Sequence, residues 1–487
     1  MRRRHMTSGV LAVAMLVATA CGARVSPAAR NAAAAAAGLT GVRAGGSSGP
    51  AATDGSGLGA ADSGSGATGP ASGGSGTGTA ANNGAQTGAG TGGSLRAGND
   101  AAPAIGDNGG ATDVGVTGSE IMAGNVSTLS GPVPGLFKGA VDGTNAFFAY
   151  QNSLGGVYGR KLKLVVRDDQ FDAGTNRAQT IDLIPKTLAM VGSFSLFDDA
   201  SADAVGQSNI PDLTYSLSRA RLALKNNFNP SPAQVGWRTG GLLYYKQHFP
   251  DAIKHVGTLV GDVASAKDSA AAQRGVAEKL GYVYAYSRTY EPTETDFTAD
   301  VVRMREQGVR MVLITAADVH TLARLAQAMQ QQNFKPDVFA TPGIAYDPQF
   351  LSLAGSAAEG IISDSQQSLY LGEDAGSNPE VALLDQWVGR VDPGARPDLF
   401  AVFAWSAARL FVTALKAAGP KITRAALTSA LQNIHQWDSN GLQAMADPAS
   451  KTPPTCYVLI KIQGGRYTRT PDDPPSGYRC DGSYMRL

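Results

Sequence analysis

What most limits the fold of this chain is an alternation that sets in near Thr117 and continues to Gly343, in which short apolar runs are each followed by a stretch of helical periodicity. IMAGNVSTL predicts a strand and GLFKGAVDGTNAFFAYQNS a helix, in which Val141, Asn145 and Phe148 recur at helical spacing. KLKLVVRD, LAMVGSF and IPDLTYS predict the next strands, separated by the helices AGTNRAQTIDLIPK and ASADAVGQS. After PSPAQVGWRTG the pattern restarts with the helix LLYYKQHF. The strands KHVGTLVGD, YVYAYSRTY, VRMVLITA and PDVFATPG follow, with the helices SAAAQRGVAEKLG, FTADVVRMREQG and HTLARLAQAMQQQ between them. Strands that alternate with helices are joined by crossovers, which makes the sheet parallel and puts helices on both of its faces. The break near residues 230–240 divides the pattern into two α/β units of similar size. Ligands bind such sheets beyond the carboxyl ends of the strands, so two facing units would enclose a cleft.

The chain ahead of the alternation has a different composition. From about Ala28 to Thr112 it is nearly all Gly, Ala, Ser, Thr and Asn, without an aromatic residue. Such a tract cannot bury enough apolar surface to offset its conformational entropy, and residues 22–112 are expected to be a disordered tether with a reach of roughly 50 Å. Its two GxGxxG matches, at Gly64, Gly66 and Gly69 and at Gly88, Gly90 and Gly93, neither follow a strand nor open a helix, and are products of composition. Residues 1–21, MRRRHMTSGVLAVAMLVATAC, place three arginines before a short apolar run and small residues before a cysteine, the layout of an export signal. Ala18-Thr19-Ala20-Cys21 resembles a bacterial lipobox, with Ala18 where leucine is commonest, so Cys21 is the expected site of lipidation. The alternative is a secreted protein that loses Cys21 with its signal. Of the 3 cysteines, Cys456 and Cys480 then remain as a pair that an oxidising compartment would let bridge, the alternative being two buried thiols.

Chemistry-bearing motifs are sparse. Lys+Arg 41 against Asp+Glu 40 leaves a net charge of +1, without the basic excess of a nucleic-acid surface. His248, His255, His320 and His435 lack metal-ligand spacing, and there is no SxxK or Walker A motif. No metal, cofactor or catalytic residue is expected. Asp168, Asp169 and Asp172 crowd the end of one strand, but Gln170 and Ala173 break an EF-hand pattern, and Asp172 stands where a helix N-cap belongs.

STLSGPVPGLFKGAVDGTNAFFAYQNSLGGVYGRKLKLVVRDDQFDAGTNRAQT is similar to the opening of the leucine/isoleucine/valine-type periplasmic binding proteins, the solute receptors of branched-chain amino acid ABC importers. It has the Leu-Ser-Gly-Pro turn, the Gly-Gly-x-x-Gly-Arg turn and the strand ending in Asp-Asp. TETDFTADVVRMREQGVRMVLI, LAGSAAEGII and RPDLFAVFAWSAARLFVTALKAAG continue the likeness in order, so that it spans roughly residues 117–465. It implies a two-lobed class I periplasmic-binding fold, with two parallel-sheet α/β lobes joined by a hinge. Residues 113–238 would open lobe 1, 239–363 form lobe 2, 364–445 return to lobe 1, and 446–487 form a C-terminal segment holding the cysteine pair.

The resemblance also nominates ligand contacts. Ser130 would act from the loop after the first strand, Ser193, Ser195 and Phe197 from the loop after the third, and Tyr215, Ser216 and Ser218 from the loop after the fourth. Hydroxyls and free N–H groups at such turns suit a carboxylate. In lobe 2 the expected aromatic positions hold Ala264, Ala266 and Ala317, and the acidic position falls at Gly343. Asp318 or Asp347, with Tyr346, would have to supply the contacts, and the alanines suit a bulkier or less charged solute. The expected protein is therefore an extracytoplasmic, lipid-anchored monomer that captures a small solute, an amino acid or related polar molecule, and delivers it to ABC permease subunits without catalysis. A ligand-sensing receptor of the same fold and a cell-envelope enzyme are the alternatives.

Overall fold

The computed structural model describes residues 100–103 and 106–487. The expected signal 1–21, with Cys21, and residues 22–99 of the expected tether lie outside the described residues. Where residues of that segment are described, they are held by the body. Asp100 is buried against Arg409, whose Nη1 donates to its carboxylate at 2.7 Å, and Arg160 Nη2 donates to the Gly110 carbonyl at 2.9 Å. The tether expected to run to residue 112 thus meets the folded body by Asp100, because two buried guanidinium groups need acceptors and this segment provides them.

The first sheet contains β1 (Glu120–Ser127), β2 (Lys161–Asp168), β3 (Ala189–Val191) and β4 (Asp212–Leu213) in the order β2-β1-β3-β4, all parallel. β1 is central and almost wholly buried, whereas β2 lies at the edge and leaves Lys161 and Lys163 in solvent, as its alternating KLKL pattern requires. The connecting helices are α1 (Lys138–Ser153), α2 (Ala173–Leu183), α3 (Ala202–Ser208) and the single turn α4 (Arg219–Leu222). Asp172 caps α2 by accepting from Thr175 N at 2.7 Å.

β5 (Gly236–Arg238) and α5 (Gly240–His248) lead into the second sheet. There β6 (Val256–Gly261), β7 (Tyr284–Tyr290), β8 (Met311–Leu313), β9 (Val338–Pro342) and β10 (Ile362–Ser365) are parallel, with α6 (Ala264–Lys279), α7 (Thr298–Glu306), α8 (Val319–Gln331) and α9 (Phe350–Ala354) between them. Two later strands, β11 (Val458–Gln463) and β12 (Arg466–Arg469), extend this sheet antiparallel to give the order β12-β11-β10-β9-β8-β6-β7. The C-terminal segment therefore contributes to the second lobe. Its last strand, β13 (Tyr484–Arg486), pairs antiparallel with β5, and a disulfide joins Cys456 to Cys480.

Between β10 and β11 the chain returns to the first lobe as α10 (Pro379–Val391), α11 (Leu399–Ala418) and α12 (Arg424–Leu431), with α10 and α11 packed on α1. It therefore passes between the lobes three times. α11 is long and apolar enough by composition to cross a membrane, but 78% of its most apolar window is buried in this body. Its Arg409 is buried between Glu380 and Asp100, at 2.7 Å from a carboxylate oxygen of each, as a core helix can arrange and a lipid-facing one cannot. α1 and α11 cross so closely that a Cβ on Gly143 would stand 2.2 Å from the Ala401 carbonyl oxygen.

Candidate ligand cleft

The residues that follow the carboxyl ends of the strands in both sheets converge on one cavity of about 660 Å³. On the first-lobe side its wall is aromatic. Phe194, beyond β3, stacks on Tyr215, beyond β4, at a centroid distance of 5.2 Å, and Tyr215 stacks on Phe403 of α11 at 3.9 Å. Phe137, before α1, meets Phe400 edge-on at 4.8 Å. Leu136, Leu196, Leu217 and Leu399 pack around this cluster. Offset and edge contacts of this kind hold the rings in fixed positions beyond what area burial alone would do. The second-lobe side includes Val263, Ala266 and Ala272 at α6, Ala317 beyond β8 and Ile344 beyond β9.

Polar groups collect where the chain passes between the lobes. Arg238 on β5 lies 3.3 Å from Asp364 of β10, and with its amide oxygen turned towards the guanidinium, Gln366 accepts from Arg238 Nη1 at 2.7 Å. Tyr484 of β13 donates to the Gln234 carbonyl at 2.6 Å. Gln367 is buried, and its amide Nε2 has no hydrogen-bond partner. Lys451 donates to the Leu222 and Leu224 carbonyls at 2.7 Å each, and its desolvation holds its pKa below the usual lysine value. At the rim Arg219 of the first lobe faces Asp268 of the second at 3.6 Å.

Of the residues nominated from sequence, Tyr215, Ser216 and Asp318 border the cavity. Ser130, Ser193, Ser195, Phe197, Ser218 and Tyr346 do not, and each is occupied elsewhere. Ser130 and Ser195 donate their hydroxyls to Asp168 and Asp169, so the aspartates that crowd the end of β2 are a strand-end clamp. Ser193 Oγ accepts from Val126 N at 3.1 Å, and Ser218 caps α4 through Arg221 N at 3.2 Å. Phe197 packs edge-on against Phe171 at 5.2 Å. Tyr346 lies in the core, where it donates to Glu373 and accepts from Leu371 N at 2.9 Å. Asp318 is the N-cap of α8 and accepts from His320 N at 2.9 Å and Thr321 N at 3.1 Å. Among the described residues no cluster of His, Cys, Asp or Glu is placed to hold a metal ion.

Sequence reasoning missed Phe400 and Phe403, Trp237 and Arg238, Gln366 and Gln367, and Tyr484, all of which line the cavity. The i, i+3 spacing of Phe400 and Phe403 at the start of an apolar helix was the one local signal available for any of them.

Two sheet-bearing lobes that enclose a ligand-sized cavity beyond their strand ends define a two-lobed solute binder, and the comparisons with known proteins give that class a family. Residues 120–466 match the periplasmic binding protein family, and the chain belongs to it. Leu/Ile/Val-binding protein homolog 1 of Brucella melitensis biotype 1 is 24% identical over 318 residues, covering 62% of this chain and 79% of that one. Among solved structures, a fatty acid ABC transporter substrate-binding protein from Thermomonospora curvata matches with TM-score 0.65 at 21% identity, covering 78% of this chain and 97% of that one. The branched-chain amino acid transporter substrate binding protein LivJ from Streptococcus pneumoniae, in complex with isoleucine, matches with TM-score 0.58 at 16% identity, covering 72% and 100%. The fold is the class I periplasmic-binding fold, and at family level the chain is an extracytoplasmic binding protein.

Proposed function

We propose that this chain is the lipid-anchored receptor of an ABC importer, taking up a small solute between its lobes and presenting the closed form to permease subunits. The observation that carries the reading is the cavity itself, which takes its walls from both lobes and its polar end from the segments that pass between them. A ligand lodged there touches both lobes at once, so closure is favoured by its differential contacts in the closed state. Cys21, behind its lipobox-like residues, would hold the protein at the outer face of the membrane, as a monomer.

The full chain should be melted in the presence of a panel of amino acids, amides, sugars, aromatic acids and apolar alcohols, with small-angle scattering on any hit. A solute at a hundredfold its Kd should stabilise the protein by about 2.7 kcal/mol and reduce its radius of gyration. Stabilisation without compaction, or no stabilisation by any compound, overturns the reading. Replacing Cys21 by Ser should move the protein from the membrane to the soluble fraction, and unchanged membrane recovery overturns the anchor.

A further inference from the structure

We infer that the solute is an oxyanion with an apolar body, a carboxylic acid in the simplest case, whose charged head is received by Arg238, Lys451 and the Tyr215 hydroxyl. This rests on the proposal that the interlobe cavity is the solute site, and names what the site selects.

The charges that border the cavity do not balance at its polar end. Arg219 and Asp268 meet each other at the rim, and Asp318 caps α8 on the second-lobe side. That leaves Arg238 and Lys451 with one carboxylate, Asp364. Asp364 lies 3.3 Å from Arg238 and turns towards the start of α5, its Oδ2 standing 2.6 Å from the place a Cβ on Gly241 would take. The first turn of a helix suits a negative charge, so Asp364 is well compensated where it is. Lys451 is not. Its hydrogen bonds go to the Leu222 and Leu224 carbonyls, and the carboxylate whose field reaches it, Asp212, is bonded to Arg221 at 2.7 Å. Burial lowers the pKa of Lys451, the response of an ammonium short of a counter-charge. One positive charge is thus in excess, and an oxyanion on the solute supplies its partner.

Donors stand open at the same place. Arg238 directs Nε to Asp364 and Nη1 to Gln366, while its Nη2 has no hydrogen-bond partner among the described residues and keeps accessible surface. Tyr215 is half-buried in the cavity wall, and its hydroxyl is likewise unpartnered and accessible. Burial raises the pKa of Tyr215 and of Tyr484 beside it; Arg238 pulls both the other way, and Asp364 acts on neither. The field at these hydroxyls is therefore that of the guanidinium, which favours a negative guest. An N–H and an O–H offered to one oxyanion make charge-assisted bonds, the strong class of hydrogen bond.

The body of the solute follows from the wall that begins at Tyr215. Its ring stacks on Phe194 and Phe403, with Leu217 and Leu399 packed beside them. Apolar area laid along these side chains leaves water, and the cavity of about 660 Å³, within the range of about 300–1,000 Å³ for drug-sized ligands, holds head and body together.

The test uses the full chain and two fluorophores with the same rings: 8-anilinonaphthalene-1-sulfonate, which carries an oxyanion, and N-phenyl-1-naphthylamine, which does not. The sulfonate should bind with a Kd about tenfold lower or better, and dodecanoate at pH 8 should displace it at about a tenth of the concentration that 1-dodecanol needs. Tyr215→Phe keeps the ring, and Arg238→Lys keeps a charge beside Asp364. Each should raise the Kd of the sulfonate about tenfold and leave that of the neutral probe within about twofold. Lys451→Met repeats the measurement if either variant does not fold. Ala317→Trp, which narrows the cavity, should abolish the uptake that dodecanoate displaces, and its persistence overturns the assignment to this cavity. Equal or tighter binding of the neutral probe, or a sulfonate Kd that no head-group variant moves, overturns the oxyanion head. A solute without an oxyanion that stabilises and compacts the protein also overturns it, and leaves the receptor reading standing. Uptake of neither probe overturns the apolar-bodied anion, and the receptor reading falls with it only if the melting panel is silent too.

Discussion

Asp198 shows how far one carboxylate can shape the cleft wall. It is buried, it accepts from Leu217 N at 2.7 Å and Ser218 N at 3.1 Å, and so it fixes the loop that carries Tyr215 and Leu217 into the cavity. Burial pushes its carboxyl up to about 6, against the opposing pull of Ser218 and Arg221. The folded protein therefore holds this proton more tightly than the unfolded chain, whose aspartates titrate near 4. The group's contribution to stability is complete below about pH 4 and is lost as pH rises through about 6. Asp198→Asn removes that slope, so the stability of the variant relative to the native protein should climb between pH 4 and pH 7, by up to about 3 kcal/mol for a shift of this size. Urea titrations at the two pH values check this, and a pH-independent difference refutes it. The same residue scale marks the limit of what could be read from sequence. Hydroxyls at strand ends were visible as candidates, but nothing local shows that Asp168 and Asp169 claim Ser130 and Ser195 first. Tyr215 was recoverable because its loop follows a strand within the legible alternation, whereas Gln367 follows β10, beyond that alternation, and Tyr484 sits on β13 near the end of the C-terminal segment.

Among elements, the crossing of α1 and α11 sets how tightly the first lobe is built. Gly→Ala inside a helix ordinarily gains up to about 1 kcal/mol from propensity. At Gly143 the sign should reverse, because the added methyl meets the Ala401 carbonyl at 2.2 Å and backbone cannot swing aside as a side chain can. Overpacking of this kind costs about 1–3 kcal/mol, and Gly143→Ala should melt several degrees below the native protein. A variant that melts at or above the native temperature would show that the helices separate freely. The order of strands and helices was legible because period-two and period-3.6 patterns survive in local sequence, as at KLKLVVRD and HTLARLAQAMQQQ. Strand lengths were less so: LAMVGSF reads as one strand, yet β3 ends at Val191, and the chain meets β1 again only by an isolated bridge from Phe194 to Ser127, with Phe194 in the cavity wall. β11 and β12 were not recognised, although YVLIKIQGGRYTR carries a hairpin signal in Gly464 and Gly465, whose φ values of 58° and 69° are those of a tight primed turn.

For the molecule as a whole, the C-terminal segment carries a covalent tie of its own. The Cys456–Cys480 bond spans a sequence separation of 24, and it pins the stretch that leads to β13, which in turn covers β5. By loop-closure entropy, replacing both cysteines by serine should cost about 3 kcal/mol. Denaturation of the double variant beside the reduced native protein measures that cost, and a loss in neither would place the constraint elsewhere. The three passages between the lobes carry a further consequence. Two lobes joined by a single linker become two particles when a protease finds that linker. Here one cut leaves two peptide passages intact, and a cut between Cys456 and Cys480 leaves the fragments joined through sulfur. Outside the cell, where peptidases are part of the surroundings, a nicked molecule of this design stays one molecule with its cleft still assembled.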